Sequence, residues 1–307
     1  MKKLISTKIK IFMVFLLITS ITCFTTSMII LYNSDFKLTN FSDFNMWNNK
    51  KHTYYSDYST VILDQSLNDI TNLNIDFTGH DVTLEVHSGD NLIINANKPT
   101  SSTENLLNIT NTNGTITISP SGISKNILVK LPSNYTNNFD FKSTNGNVNL
   151  SNMNLQSFKI ECINSDLNIN NLTLALGNIS TSNGNISLTN VNSNDLSANT
   201  LNGEIYGNNL KGIVNLKTVS GDIFADFSNE ITNSKIDTID GDVSLNIPDN
   251  SNFLIDFNTV DGELDDYAHS AIAKDVNIEK HNNNFKILIG TGVIPISVTT
   301  VDGDLSF

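Results

Sequence analysis

The sequence predicts an all-β chain wound as a parallel β-solenoid of about 20 residues per coil, preceded by one N-terminal transmembrane helix. Three observations carry that expectation. A short phrase recurs at a near-constant period, apolar residues within each copy stand two apart, and a long uncharged stretch follows a lysine-rich start.

The elements follow in chain order. Residues 1–10, MKKLISTKIK, hold four Lys, and residues 11–32, IFMVFLLITSITCFTTSMIILY, hold no charge. At about 1.5 Å per residue such a helix crosses a hydrocarbon core of roughly 30 Å. Lys2, Lys3, Lys8 and Lys10 place residues 1–10 in the cytoplasm by the positive-inside rule, so the remainder is expected outside the cell membrane. The reading is an uncleaved signal anchor, because the stretch is long and no A-x-A site follows. A cleaved signal peptide is the alternative. A lipoprotein attached through Cys23 fits less well, since SIT precedes that cysteine. Residues 33–58 are polar with scattered aromatics (Phe36, Phe41, Phe44, Trp47) and read as a juxtamembrane linker.

The β-domain is expected over residues 59–307. Its first strands are NLNIDF (72–77), DVTLEV (81–86) and NLIINA (91–96), separated by the turns TGH and SGD. NTNGTITI (111–118) is an early copy of the repeated phrase, and KNILVKLP (125–132) ends on Pro132. The step from Gly114 to Gly146 is too long for the later period. Regular repeats therefore begin at about residue 140, and the earlier strands read as the atypical end a solenoid requires.

From there the rungs are FKSTNGNVNL (141–150), IECINSDLNI (160–169), ISTSNGNISL (179–188), LKTVSGDIFA (216–225), IDTIDGDVSL (236–245), FNTVDGELDD (257–266) and VTTVDGDLSF (298–307). ANTLNGEIYG (198–207) fits more loosely. Their central positions are Gly146, Ser165, Gly184, Gly203, Gly221, Gly241, Gly262 and Gly303, in steps of 18 to 21 residues until a last step of 41. That last step reads as two periods, with the missing rung at IEKHNNNFKI (278–287) and Asn283 standing at the Gly position. About a dozen coils are expected.

Within one rung, Val243 and Leu245 point to one face, and Ile236 and Thr238 continue the alternation before the corner. The central glycines (Gly146, Gly184, Gly203, Gly221, Gly241, Gly262 and Gly303) are expected to be structural, supplying a turn with positive φ. The flanking acids then lie outside. Stacked at about 4.8 Å, Asp240 and Asp242 would face Asp261 and Glu263, which makes these four weak Ca²⁺ candidates. The preferred reading is a solvated corner with no metal, because calcium β-roll spacing is missing and the earlier rungs carry Asn (TNGN, SNGN).

Two longer segments match one another: VKLPSNYTNNFDFKSTNGNVNL (129–150) and LNIPDNSNFLIDFNTVDGELDD (245–266). With LNIDFTGHDVTLEVHSGDNLIINA (73–96), they resemble a bacterial family of membrane-anchored or secreted "putative adhesins" of unknown function, built of strand repeats reading T-x-x-G-D-I. The resemblance covers roughly residues 59–307. It implies a β-solenoid exposed outside the cytoplasmic membrane and supplies no catalytic residues.

Charge narrows the partners. The chain has 18 Lys and no Arg against 31 acidic residues, a net charge of −13. Past residue 32 only 14 Lys remain against those 31 acids, a balance of −17. Such a surface repels nucleic acid and attracts cationic peptides. Cys23 and Cys162 cannot pair, and Cys162 reads as an inward-facing substitute on the Thr column. His52, His80, His87, His269 and His281 show no metal-ligand spacing. No nucleophile elbow, P-loop or dinucleotide fingerprint is present, and no cofactor is expected. The enzymatic rival is polysaccharide cleavage by Asp265, Asp266 and His269 in GELDDYAH. Against it, no Arg is available to hold an acidic sugar, and adjacent strand residues point to opposite faces.

The favoured function is a non-enzymatic, membrane-anchored binding module or surface scaffold of adhesin type, engaging a cell-envelope polymer or protein. The alternative is an envelope-stress regulator whose acidic ectodomain captures cationic peptides.

Overall fold

The computed structural model describes residues 60–96, 106–121, 126–248, 252–265 and 276–307. All of them fall in the second of two units, 1–55 and 56–307. The expected membrane segment 11–32 and the linker 33–58 lie outside the described residues. No helix of the described residues is long and apolar enough to cross a membrane.

Alternating burial is the organising pattern. In β7 (Asn138–Ser180), β8 (Ile186–Asn199), β9 (Ile205–Lys217) and β10 (Ile223–Ile231), every second side chain is buried over most of the length. These elements follow β1 (Thr60–Ser66), β2 (Asn72–His87), β3 (Asn91–Ala96), β4 (Leu107–Thr112), β5 (Thr115–Pro120) and β6 (Asn126–Pro132). After them come β11 (Ser234–Asp237), β12 (Val243–Asn246), β13 (Phe253–Asn258), β14 (Leu264–Asp265), β15 (Val276–His281), β16 (Asn284–Ile289), β17 (Ile294–Thr299) and β18 (Leu305–Ser306). Inward Leu, Ile, Val and Phe from successive coils form one core, running from Leu73 and Phe139 through Ile186 and Ile223 to Val298 and Phe257.

The body is a stack of parallel coils. β2 pairs in parallel with β7 (Asn72↔Asn138 to Leu84↔Val148), β7 with β8, β8 with β9, and β9 with β10 and β11. No single coil has a core of its own, so each depends on its neighbours. Among the described residues fewer coils form than the expected dozen, because both ends are closed by antiparallel strands. At the start, β1 pairs antiparallel with β3, β3 with β6, and β4 with β5. At the far end, β15 and β16 form a hairpin whose second strand lies antiparallel on β13. Such ends cover sheet edges that would otherwise template further pairing.

Two expectations fail in this C-terminal region. The segment 278–287 is not a parallel rung: it is the antiparallel hairpin, and the positive φ of its turn belongs to Asn282 (55°), not Asn283. The order of coils in space also departs from their order in sequence. The bridges run Asn183–Asn202–Ser220–Asp240–Asp302–Asp261, so the last rung of the chain slots between the two rungs that precede it. β17 lies between β11 and β13, and β18 between β12 and β14, all in parallel register.

Candidate binding faces

The Thr, the Gly and the acid after the Gly of the repeated phrase each have a contact to explain them. The Thr column is buried: Thr200, Thr218 and Thr238 each donate their hydroxyl to the glycine carbonyl of the preceding rung (Gly184, Gly203 and Gly221, at 3.1, 3.0 and 3.2 Å). Cys162 sits in that column, its Sγ 3.3 Å from Ser143 Oγ, and burial pushes its thiol pKa up. Cys23 lies outside the described residues.

The glycines are selected by close approach more than by conformation. A Cβ on Gly241 would stand 2.2 Å from the carbonyl oxygen of Gly221, and one on Gly303 would stand 2.0 Å from that of Gly241. Gly146, Gly184, Gly203, Gly221 and Gly262 meet backbone oxygens at similarly impossible distances. Positive φ occurs at Gly146, Gly184, Gly221 and Gly241, whereas the expectation fails at Gly203, Gly262 and Gly303. The left-handed corner belongs to a different column, Asn152, Asn171, Asn190 and Asn209, with φ of 51–56°. Asn tolerates that region, and its amide does more there. Each donates Nδ2–H to Oδ1 of the Asn one coil before, at 2.8–2.9 Å from Asn171 to Asn209. A second ladder runs Asn145–Asn164–Asn183–Asn202 at 2.7–2.8 Å.

The acidic corner is structural too. Asp222 Oδ1 accepts the backbone N–H of Asp242 (2.8 Å), Asp242 that of Asp304 (2.8 Å), and Asp304 that of Glu263 (2.7 Å). Asp166 and Asn185 do the same on earlier rungs. The expected face-to-face arrangement of Asp240 and Asp242 with Asp261 and Glu263 does not form, because Asp302 and Asp304 lie between them. Among the described residues, no three His, Cys, Asp or Glu converge as a metal site.

Among the histidines, His87 accepts the Gly89 N–H at Nδ1 (3.2 Å) and donates Nε2–H to Asn91 O (2.9 Å), closing a turn. His80 lies edge-on to Phe77, and His281 is on exposed β15. Asp265 is exposed on β14, while His52, Asp266 and His269 lie outside the described residues.

Two surface features remain once these roles are subtracted. The first is an apolar ridge. From the rung of Thr200 onward the residue after Thr points outward, and in stacking order these are Leu201 (51% exposed), the half-buried Val219, Ile239 (46%), Val301 (42%) and Val260 (66%), whereas Thr181 one rung earlier is followed by Ser182. Exposed carboxylates border it at Asp240, Asp302, Asp261, Asp242 and Asp304. Sequence reasoning passed over this ridge, although the signal was present as a β-branched or leucine residue at an outward position in T-[LVI]-x-G.

The second is a groove of about 540 Å³ across β8, β9, β10, β12 and β18. One wall is the outward column Ser187–Tyr206–Phe224–Ser244–Ser306, and the other is Thr189–Asn208–Asp226–Asn246. Tyr206 and Phe224 stack with centroids 4.9 Å apart and planes 6° from parallel. Tyr206 donates its hydroxyl to Glu204 Oε2 at 2.6 Å, a bond that raises the phenol's pKa. Neither aromatic was singled out from sequence. The signal was an aromatic three residues past the central Gly on two successive rungs.

No curated protein matches the chain. Among the solved structures similar to the chain are two at 14% identity. One is a "putative adhesin" from Bacteroides fragilis, covering 81% of this chain and 98% of its own at a TM-score of 0.46. The other is a "putative cell adhesion protein" from Clostridium sporogenes, covering 80% and 95% at a TM-score of 0.25. The Toastrack DUF4097 family profile matches residues 70–307, which takes in the whole parallel stack, and the chain belongs to that family.

Proposed function

We propose that this chain is a non-enzymatic binding module of adhesin type, held outside the cytoplasmic membrane by residues 11–32. The observation that carries this reading is the apolar ridge Leu201–Val219–Ile239–Val301–Val260 with its acidic border. Two carboxylates of that border, Asp242 and Asp304, already accept backbone N–H groups and so serve the stack. What stays free of structural duty is an extended edge built by repetition, suited to an elongated partner. An exposed aliphatic row of this kind on a soluble face marks an interaction site. In living cells, a photo-crosslinker at Val260 should give a discrete adduct. Ile239→Asp with Val301→Asp should remove that adduct at unchanged melting temperature. An adduct indifferent to both changes would overturn the reading.

The acidic border also favours a second reading, the capture of cationic amphipathic peptides, with apolar side chains on the ridge and Lys or Arg on the carboxylates. Binding that persists at high salt and disappears in Ile239→Asp would support this reading, whereas binding abolished by salt alone would reduce it to charge attraction.

A further inference from the structure

We propose that the groove across β8, β9, β10, β12 and β18 binds an extended, uncharged glycan. The groove runs along the stack, perpendicular to the strands, and spans four strand spacings, about 19 Å. A hexopyranose unit in an extended chain is close to one strand spacing long, so about four units lie in register with the rungs.

The walls suit sugar hydroxyls. Ser187, Thr189, Asn208, Ser244, Asn246 and Ser306 present hydroxyls and amides at regular spacing. These groups both donate and accept, as a glycan requires. Two of the contacts already present, Ser244 Oγ to Ser306 Oγ (2.7 Å) and Asn246 Nδ2 to Asp226 Oδ1 (3.1 Å), pre-orient the groups at the β12 end.

The aromatic pair supplies the apolar component. Because Tyr206 and Phe224 cover one face of each other, the remaining face of Phe224 looks along the stack toward Ser244, where a small side chain leaves a slot. A sugar's C–H face is apolar with slightly positive hydrogens, complementary to the negative face of a ring.

Other polymers fit less well. A peptide strand gains nothing from backbone pairing here, because the strands crossing the groove already pair with neighbours on both sides. An acidic polymer meets a chain of net charge −13 and finds no cationic side chain in either wall.

The test titrates the full-length protein in detergent micelles with cellotetraose and chitotetraose, with tetragalacturonate as the acidic comparator. Saturable binding is expected for at least one uncharged tetramer, weaker for its dimer and undetectable for tetragalacturonate. Phe224→Ala should weaken that binding at least ten-fold. Ser244→Gln, which fills the slot and leaves the stacked rings alone, should do the same at unchanged melting temperature. If the rings only stiffen the stack, Phe224→Ala lowers the melting temperature while Ser244→Gln leaves binding intact, and the proposal falls. It also falls if neither uncharged tetramer binds, or if tetragalacturonate binds equally well. The ridge reading under Proposed function is untouched by either result, since Ile239 and Val301 lie outside these walls.

Discussion

Gly241→Ala separates two explanations of the glycine column. The added Cβ would stand 2.2 Å from Gly221 O, whereas an unstrained carbon–oxygen contact needs about 3.3 Å. The two rungs must therefore part by about 1 Å at this corner. Among the hydrogen bonds that cross there, three flank the clash directly: Gly221 N–H to Asp240 O (2.9 Å), Ile223 N–H to Asp242 O (2.9 Å) and Asp242 N–H to Asp222 Oδ1 (2.8 Å). Opened by that much, all three pass the limit of a useful hydrogen bond, and at about 1 kcal/mol each the loss is about 3 kcal/mol. For a domain of this size such a loss lowers Tm by about 6–12 °C. The control is Gly79→Ala, where φ is +87° and nothing lies within 4 Å of the new Cβ. Only the left-handed backbone penalty applies there, about 1–2 kcal/mol. Thermal melts and urea titrations of both variants, with limited proteolysis to find fraying on either side of residue 241, measure the difference. A Gly241→Ala protein no less stable than Gly79→Ala would refute close stacking as the reason for glycine.

Asp242→Asn keeps the Oδ1 that accepts the Asp304 N–H, as Asn185 does for Glu204, so its melting temperature should stay level or rise, while Asp242→Ala should cost about 1–2 kcal/mol by urea denaturation. Asn190→Gly keeps a residue tolerant of the left-handed corner and loses only the ladder, whereas Asn190→Ala loses both, so the alanine variant should melt lower by differential scanning calorimetry. Burial raises the Cys162 thiol, so the folded state holds its proton more tightly than the unfolded state. The resulting stabilisation is present below the ordinary thiol pKa of about 8.5 and falls as pH rises past it, a slope that Cys162→Thr should reduce in urea titrations from pH 7 to 10. Deleting residues 294–307 removes the strands between β11 and β13 and between β12 and β14, so protease should digest the chain from about residue 234 onward while the earlier coils persist, and a synthetic 290–307 peptide added in trans should restore protection.

The stack was legible in the sequence because its period is short and its letters answer to contacts one coil away. Val243 and Leu245 face the core as their alternation required. Of the opening strands before residue 140, β1, β3 and β4 make antiparallel pairs while β2 already belongs to the parallel stack, and the resemblance to an adhesin-type family is matched by the Toastrack assignment. The errors lie where the determinant is non-local. Asn283 fits the rung spacing, but nothing in IEKHNNNFKI says that its two halves pair with each other. A constant period likewise cannot show that the rung around Gly303 inserts between those around Gly241 and Gly262, because all three present the same edges to their neighbours. The glycine error has a similar origin. Positive φ and steric exclusion by a neighbouring carbonyl both select glycine, and only the coil spacing tells them apart.

That division bears on where function resides. Positions that repeat with fixed identity (the buried Thr, the Gly beneath a carbonyl, the Asp or Asn bonded to the next N–H, the Asn of the ladders) are each committed to joining one coil to the next. A ligand that recruited Asp242 or Asn190 would have to compete with a hydrogen bond the stack already makes, at the cost of leaving a backbone N–H or a ladder amide unsatisfied. Recognition is therefore free to use only positions the coil spacing leaves unconstrained. The outward residue after Thr is one such position, and the outward residue three past the Gly is another. At the first the chain keeps Leu, Val or Ile in five stacked rungs, although solvent exposure gives the stack no reason to prefer them over Ser or Asn. At the second, within the groove, it keeps Ser on the β8, β12 and β18 rungs and carries Tyr206 and Phe224 on the two adjacent rungs between them. A solenoid that needed only to stand would fill both columns with the polar residues it uses elsewhere on its surface. These two columns break that rule in a spatially continuous way, and so partners should be sought there and not at the more conspicuous Asp-Gly-Asp corners.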